Sequence, residues 1–359
     1  MPKKITYPTT VVDSIIYSLI NNNGEVSAQV KRAVDFQELT EIIIPSTVDF
    51  PNYPSVPVTS IAASAFASCS LPSFISIPSS VKKIGRKAFA VLYLEPKKPK
   101  EPKEEEKFGN PKNPRPIELK IPAEFASSAY FNMLRVLAVT IISGDKIPDQ
   151  AFRGAIKLET VIFENDSSSS LISIGDAAFK DCISLKEIIL PDTVTNIGAN
   201  TFSGCKDLLS IVIPSGVSNI KIGTFYKCSS LKNIFFQHKS LIEYIGGNAF
   251  AYCRELNSLT IPNSVNIINA QAFYNCRNLS NILIPSNVKK IGNQSFFACT
   301  NLKEVTFEQK EYLPTIGNKA FENNARDNTA NYYISVQTVN PESLLRNVGF
   351  SNSSTIKHK

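Results

Sequence analysis

The 359-residue chain is 43% apolar and 19% charged, with a formal net charge of +7; that is the composition of an ordinary folded protein and excludes a chain disordered throughout. The lysines and arginines are scattered rather than gathered on one helix, which argues against nucleic acid as a partner, and no apolar run approaches the length of a bilayer span. The run from Ile15 to Ile20 is short, follows Asp13 and lacks a small-residue cleavage site, so no secretory signal is expected, and the polar end 351–359 carries no lipidation motif.

From the N-terminus, Ile15 to Ile20, the Asn23-Gly24 pair and Glu25 to Ala33 form the pattern of a β-hairpin, read as a cap over residues 1–38. The first repeats occupy 39–94, with an insertion from Phe50 to Ser60 enlarging the first of them. Residues 95–116 hold six prolines among blocks of lysine and glutamate, a stretch unable to build a core and expected to be extended or disordered. Its lysines Lys97, Lys98, Lys100 and Lys103 read as a solvated spacer, with contact to an acidic partner as the alternative. The main array runs over 117–325 and starts irregularly, with MLRVLAVTII from Met133 to Ile142. Residues 326–359 read as a strand (YYISVQTV), a helix opening at Pro341 and a polar tail, together a second cap.

An internal period governs the array. From Cys182 the cysteines stand 23, 23, 25, 23 and 23 residues apart, at Cys205, Cys228, Cys253, Cys276 and Cys299. Three residues before each stands a phenylalanine: Phe179, Phe202, Phe225, Phe250, Phe273 and Phe296, with Phe66, Phe89, Phe152 and Phe321 extending the register. The unit from Leu185 to Cys205 shows the pattern. Leu185, Ile188 and Leu190 mark a short half-buried strand. Pro191 ends it, because proline cannot donate to a ladder. Gly198 is expected to supply a positive-φ turn, and Phe202 carries a ring inward from an irregular or 3₁₀ turn. The next copy has Lys221 in place of the glycine, so its turn should differ. No single unit of this size buries its apolar positions; stacking does. Three repeats replace Ile-Pro by Phe163, Phe236 or Phe307 and are longer, the extra residues lying in loops such as 165–170 and 237–240.

These residues carry a resemblance to the BspA-like leucine-rich repeat family, from about Leu39 to Phe321. The resemblance implies an α/β repeat solenoid that is mostly β. Its coil is right-handed, with a parallel sheet on the concave face, short irregular or 3₁₀ turns on the other, and a binding role. It supplies no catalytic residue.

Little else points to chemistry. The two histidines, His238 and His358, lie in a loop and a tail and read as exposed. No phosphate loop, HExxH or nucleophile-elbow motif is present, so neither catalysis nor a cofactor or metal is expected. The cysteines admit a metal or redox ladder, but a column of small buried side chains is preferred, because Ala155 and Leu92 take the same position elsewhere. The outward centre of each strand is the candidate protein-binding surface, through Ile162, Ile189, Val212, Phe235 and Leu283, bordered by the polar column Thr160, Glu187, Ser210 and Asn233. Ordinary strand propensity explains the same residues without a partner. The expected role is a scaffold for a protein partner, with no nucleic acid, no small-molecule substrate and no membrane span. A cytoplasmic, cytoskeleton-associated location is favoured by the unpaired cysteines; a surface or secreted adhesin is the alternative.

Overall fold

A computed structural model describes residues 8–22, 24–34, 39–67, 69, 72–89, 117–127, 135–164, 171–308, 314–322, 331–334 and 355–358. The chain divides into two compact units, Met1–Gly144 with Glu164–Ser169, and Asp145–Phe163 with Ser170–Lys359. The spacer 95–116, the loop 165–170 and the helix expected from Pro341 lie outside the described residues.

In the first unit, strands Thr9–Val12, Ile15–Asn22 and Glu25–Ala33 form an antiparallel set, with the last two paired in register from Ile15↔Ala33 to Asn22↔Glu25. Glu25–Ala33 then pairs in parallel with Tyr53–Ile61. The insertion in the first repeat is itself a hairpin: Thr47–Phe50 lies antiparallel to Tyr53–Ile61. The repeat strands Glu41–Ile43, Phe74–Ser76, Ile117–Ile121 and Val136–Ile141 pair in parallel, each with the next. Behind them the Phe66 and Phe89 rings stack 5.1 Å apart.

The second unit is a stack of coils. In the coil that starts at Leu185, Leu185, Ile188, Leu190, Val194, Ile197, Phe202 and Cys205 are all buried, while Glu187 and Ile189 between them are exposed. This alternation is what a strand with one covered face requires. The phenylalanines form one unbroken column from Phe152 to Phe321. Successive centroids lie 5.3, 5.6, 5.5, 5.3, 5.2, 5.0 and 5.1 Å apart, with rings within 14° of parallel. These ring spacings lie in the range of stacked aromatic pairs and slightly above the spacing of paired strands, so one coil repeat accommodates both. Each buried ring contributes about 2–3 kcal/mol of apolar burial.

Three sequence expectations are corrected. There is not one sheet but two parallel ladders. The front ladder includes Thr160–Phe163, Glu187–Ile188, Ser210–Ile213, Asn233–Phe236, Asn281–Ile284 and Glu304–Phe307. A second runs through pairs such as Ser173–Ile174 with Asn196–Ile197, and Tyr244–Ile245 with Ile267–Ile268. Two-residue strands leave too short an alternation to be seen in sequence. The front ladder is also interrupted, Ser210–Ile213 pairing only with Asn233–Phe236.

Gly198 does not supply a positive φ. A Cβ there would lie 2.5 Å from the Asp176 nitrogen and the Gly175 carbonyl carbon, so glycine is needed for close approach of coils. The left-handed residue is two positions on, at Asn200 (φ 55°), and recurs at Ala177, Gly223, Asn248, Gln271 and Gln294. Lys221 leaves that register intact, since Gly223 (φ 62°) keeps the turn. The second ladder is nevertheless interrupted between Asn196–Ile197 and Asn219–Ile220, beside this lysine.

The back wall is made of overlapping irregular turns, one of the two forms expected; among the described residues a 3₁₀ helix is assigned at Ala123–Phe125. Its backbone donors alternate. The amides of Ala178, Lys180 and Cys182 donate three residues back, to Gly175, Ala177 and Phe179. Those of Ala177, Phe179 and Asp181 donate to Ala199, Thr201 and Ser203 of the next coil. These six amides are thereby satisfied without helix or sheet.

Candidate functional site

The outward positions of the front ladder lie on the second unit. Register fixes their alignment: Val161 pairs with Ile188, which sets Ile162 beside Ile189, and Val212 pairs with Phe235. Leu283 pairs with Thr306 on one side and bridges Thr260 on the other. All five residues predicted from sequence are exposed, from 40% at Leu283 to 75% at Ile189. The outward residues are exposed and apolar on each coil from Ile162 to Phe235, with strand pairing interrupted between Ile189 and Val212, and the row is then broken by the exposed Thr260. The bordering column is polar and open at Thr160 and Glu187 and half-buried at Ser210 and Asn233. Outside it the exposed pair Lys186 and Glu159 meets at 3.2 Å, too solvated to hold anything rigid.

Two features escaped sequence reading. Leu209 is exposed beside the strip; directly after inward Leu208 it looks like part of the same core run. The second feature is a cleft of about 590 Å³ between the coil of Phe235 and the coil of Thr260. In the front ladder, pairing between these coils holds at one bridge, Asn233↔Ser258, and does not continue to Phe235 or Phe236. The coils meet again where the Ser264 hydroxyl donates to the Ser240 carbonyl, 3.0 Å away. The cause is the insertion at 237–240. Gln237 replaces the usual proline and turns toward the preceding coils, its carbonyl oxygen accepting from the Ser215 amide at 2.9 Å and its amide donating to Asp192. Thus tied on one side, the loop leaves the other side open. His238, read from sequence as an exposed loop residue, is exposed and lines this cleft.

None of the cysteines is in a disulfide, and all are buried. From Cys182 to Cys299, each thiol donates to the carbonyl of the phenylalanine one coil back, from Phe152 to Phe273, at 3.0–3.2 Å. The column is therefore more than small apolar filler. Burial pushes the Cys182 thiol up to about 12, against a smaller opposing pull from a backbone amide, and raises Cys205, Cys228, Cys253 and Cys276 well above the usual range. Such thiols are poor nucleophiles. Among the described residues no group of three or more His, Cys, Asp or Glu side chains is arranged to hold a metal ion, and no helix is long and apolar enough to cross a membrane.

Comparison with curated proteins gives no match. Among solved structures, the chain is similar to a leucine-rich repeat protein from Bacteroides ovatus, at 22% identity over 98% of this chain and 99% of that one, with a TM-score of 0.43. It is likewise similar to the T. pallidum leucine rich repeat protein (23% identity, 69% and 90% covered, TM-score 0.38). A leucine rich cell surface protein from Faecalibacterium prausnitzii is a third (20% identity, 96% and 98% covered, TM-score 0.41). The profile of the BspA type leucine rich repeat region matches in six copies, over residues 36–95, 145–269 and 236–357, well over half of the chain. With the coil pattern and the phenylalanine column already described, the chain belongs to the BspA type leucine rich repeat family.

Proposed function

We propose that the chain is a non-catalytic scaffold that binds a protein partner through the front ladder of its second unit. The observation that carries this reading is the row Ile162, Ile189, Val212 and Phe235, apolar side chains exposed to water on four successive coils and held in register pairwise, Ile162 with Ile189 and Val212 with Phe235. Single exposed apolar residues need no explanation, but a contiguous row bordered by polar groups is the anatomy of an interaction surface. The proposed compartment is the cytoplasm, in an adaptor or cytoskeletal assembly. The seven cysteines, none in a disulfide, support it, since thiols persist in reducing surroundings.

The test is affinity capture with the wild-type chain and with Ile189→Asp, combined with surface labelling of intact cells. A partner retained by the wild type and lost from the variant supports the binding surface. Equal capture by both overturns it. Labelling of the chain on intact cells overturns the cytoplasmic assignment and favours the adhesin role instead.

A further inference from the structure

The cleft beside Phe235 differs from the rest of the strip in charge and in backbone pairing. Its lining includes the exposed Phe235 ring, the half-buried Phe236, His238, Lys239, Thr260 and Asn263, and contains no carboxylate. Among the described residues no acidic side chain pairs with Lys239. The Asp192 carboxylate accepts from the Gln237 amide. The cleft thus joins an open aromatic face to an uncompensated cation. Alongside, the strand Asn233–Phe236 is paired with Ser210–Ile213 on one side, while on the other its pairing stops after Asn233↔Ser258.

We propose that this cleft takes a short extended peptide segment of a partner protein, seating an apolar side chain against Phe235 and a carboxylate against Lys239. The proposal rests on the reading of the front ladder as the partner surface and names the chemistry recognised there. Three arguments select this occupant. A strand edge whose ladder has stopped offers main-chain donors and acceptors to an extended chain. The ring supplies apolar area that a polar ligand would not use. The unpaired lysine, in a hollow free of competing carboxylates, favours an anionic group, because a charge there is attracted without first displacing an internal partner. The volume of about 590 Å³ suits a few residues of peptide rather than a folded element.

The experiment is selection from a random heptapeptide phage library on the full chain, followed by binding of the selected synthetic peptides. Enrichment of Asp or Glu next to an aliphatic or aromatic residue is expected. Lys239→Glu and Phe235→Ser should each weaken binding about tenfold or more, with thermal unfolding unchanged because both side chains are exposed. Exchanging the peptide's acid for lysine should restore binding to Lys239→Glu. Selected peptides without acidic bias, or binding indifferent to Lys239→Glu, overturn the proposal, as does displacement of no peptide but retention of a small anion such as free acetate. Loss of the captured partner with Ile189→Asp but not with Lys239→Glu removes the cleft from the interface and leaves the strip. Peptide binding that needs Lys239 while capture ignores Ile189→Asp does the reverse.

Discussion

Cys228 donates its thiol hydrogen to the carbonyl oxygen of Phe202, 3.0 Å away in the preceding coil. That carbonyl also accepts the Cys205 amide, so the thiol fills the second lone pair of a buried oxygen. The repeated cysteine is thereby explained as a donor as well as a small side chain. Cys228→Ala removes the sulfur, losing the donor and leaving a small void, and is expected to cost about 1–2 kcal/mol in chemical denaturation. Adding an apolar side chain of larger volume, as in Cys228→Leu, should cost about 1–3 kcal/mol through overpacking.

The same thiols should be silent in the native state. At pH 8 a thiol-reactive reagent is expected to label the column from Cys182 to Cys276 only after unfolding, a result read by intact mass with and without denaturant. Burial also sets the pH dependence. The protonated thiol is favoured in the fold, so the unfolded chain releases its proton first as pH rises past the ordinary value of 9. The contribution is complete below pH 9 and falls above it, for Cys182 up to about 12. The expected slope is about 1.4 kcal/mol per pH unit for each such thiol, measurable as a lowered denaturation midpoint between pH 9 and 10.5.

Phe202 lies fully buried between Phe179 and Phe225, 5.6 and 5.5 Å away. Phe202→Ala should cost about 3–5 kcal/mol, because neighbouring coils cannot close on the void without breaking their own spacing. Since each coil touches only its neighbours, hydrogen exchange should rise first around this coil.

Glycine and alanine should behave in opposite senses at two nearby positions. Gly198→Ala places a Cβ 2.5 Å from the backbone of the preceding coil and is expected to destabilise by about 1–3 kcal/mol. Ala177 stands in the left-handed region (φ 54°), where a Cβ costs about 1–2 kcal/mol. Ala177→Gly should therefore raise stability by a few tenths of a kcal/mol to about 1 kcal/mol, the remainder offset by unfolded-state entropy. Thermal melts of both variants check the pair.

At the surface, Ile189→Asp and Phe235→Asp are expected to abolish partner capture while leaving the melting temperature within about a degree or two, as surface changes usually do. Partner capture is read by pull-down, and the melt by circular dichroism.

The sequence alone determined the repeat, its inward rows and the outward strip. A side chain on a stacked coil faces inward or outward by its position in the period, and that period is written in Phe202, Phe225, Cys205 and Cys228. Tertiary structure decided the rest. Whether Gly198 serves a turn or a close contact depends on the coil beneath it. Whether a thiol is filler or donor depends on which carbonyl lies one coil away. The cleft exists because Gln237 bonds backward to Ser215 and Asp192, leaving Phe235 without its next strand. Each of these is a relation between residues more than twenty positions apart. Local pattern sets which groups are available, and only the stacking of coils sets which of them meet.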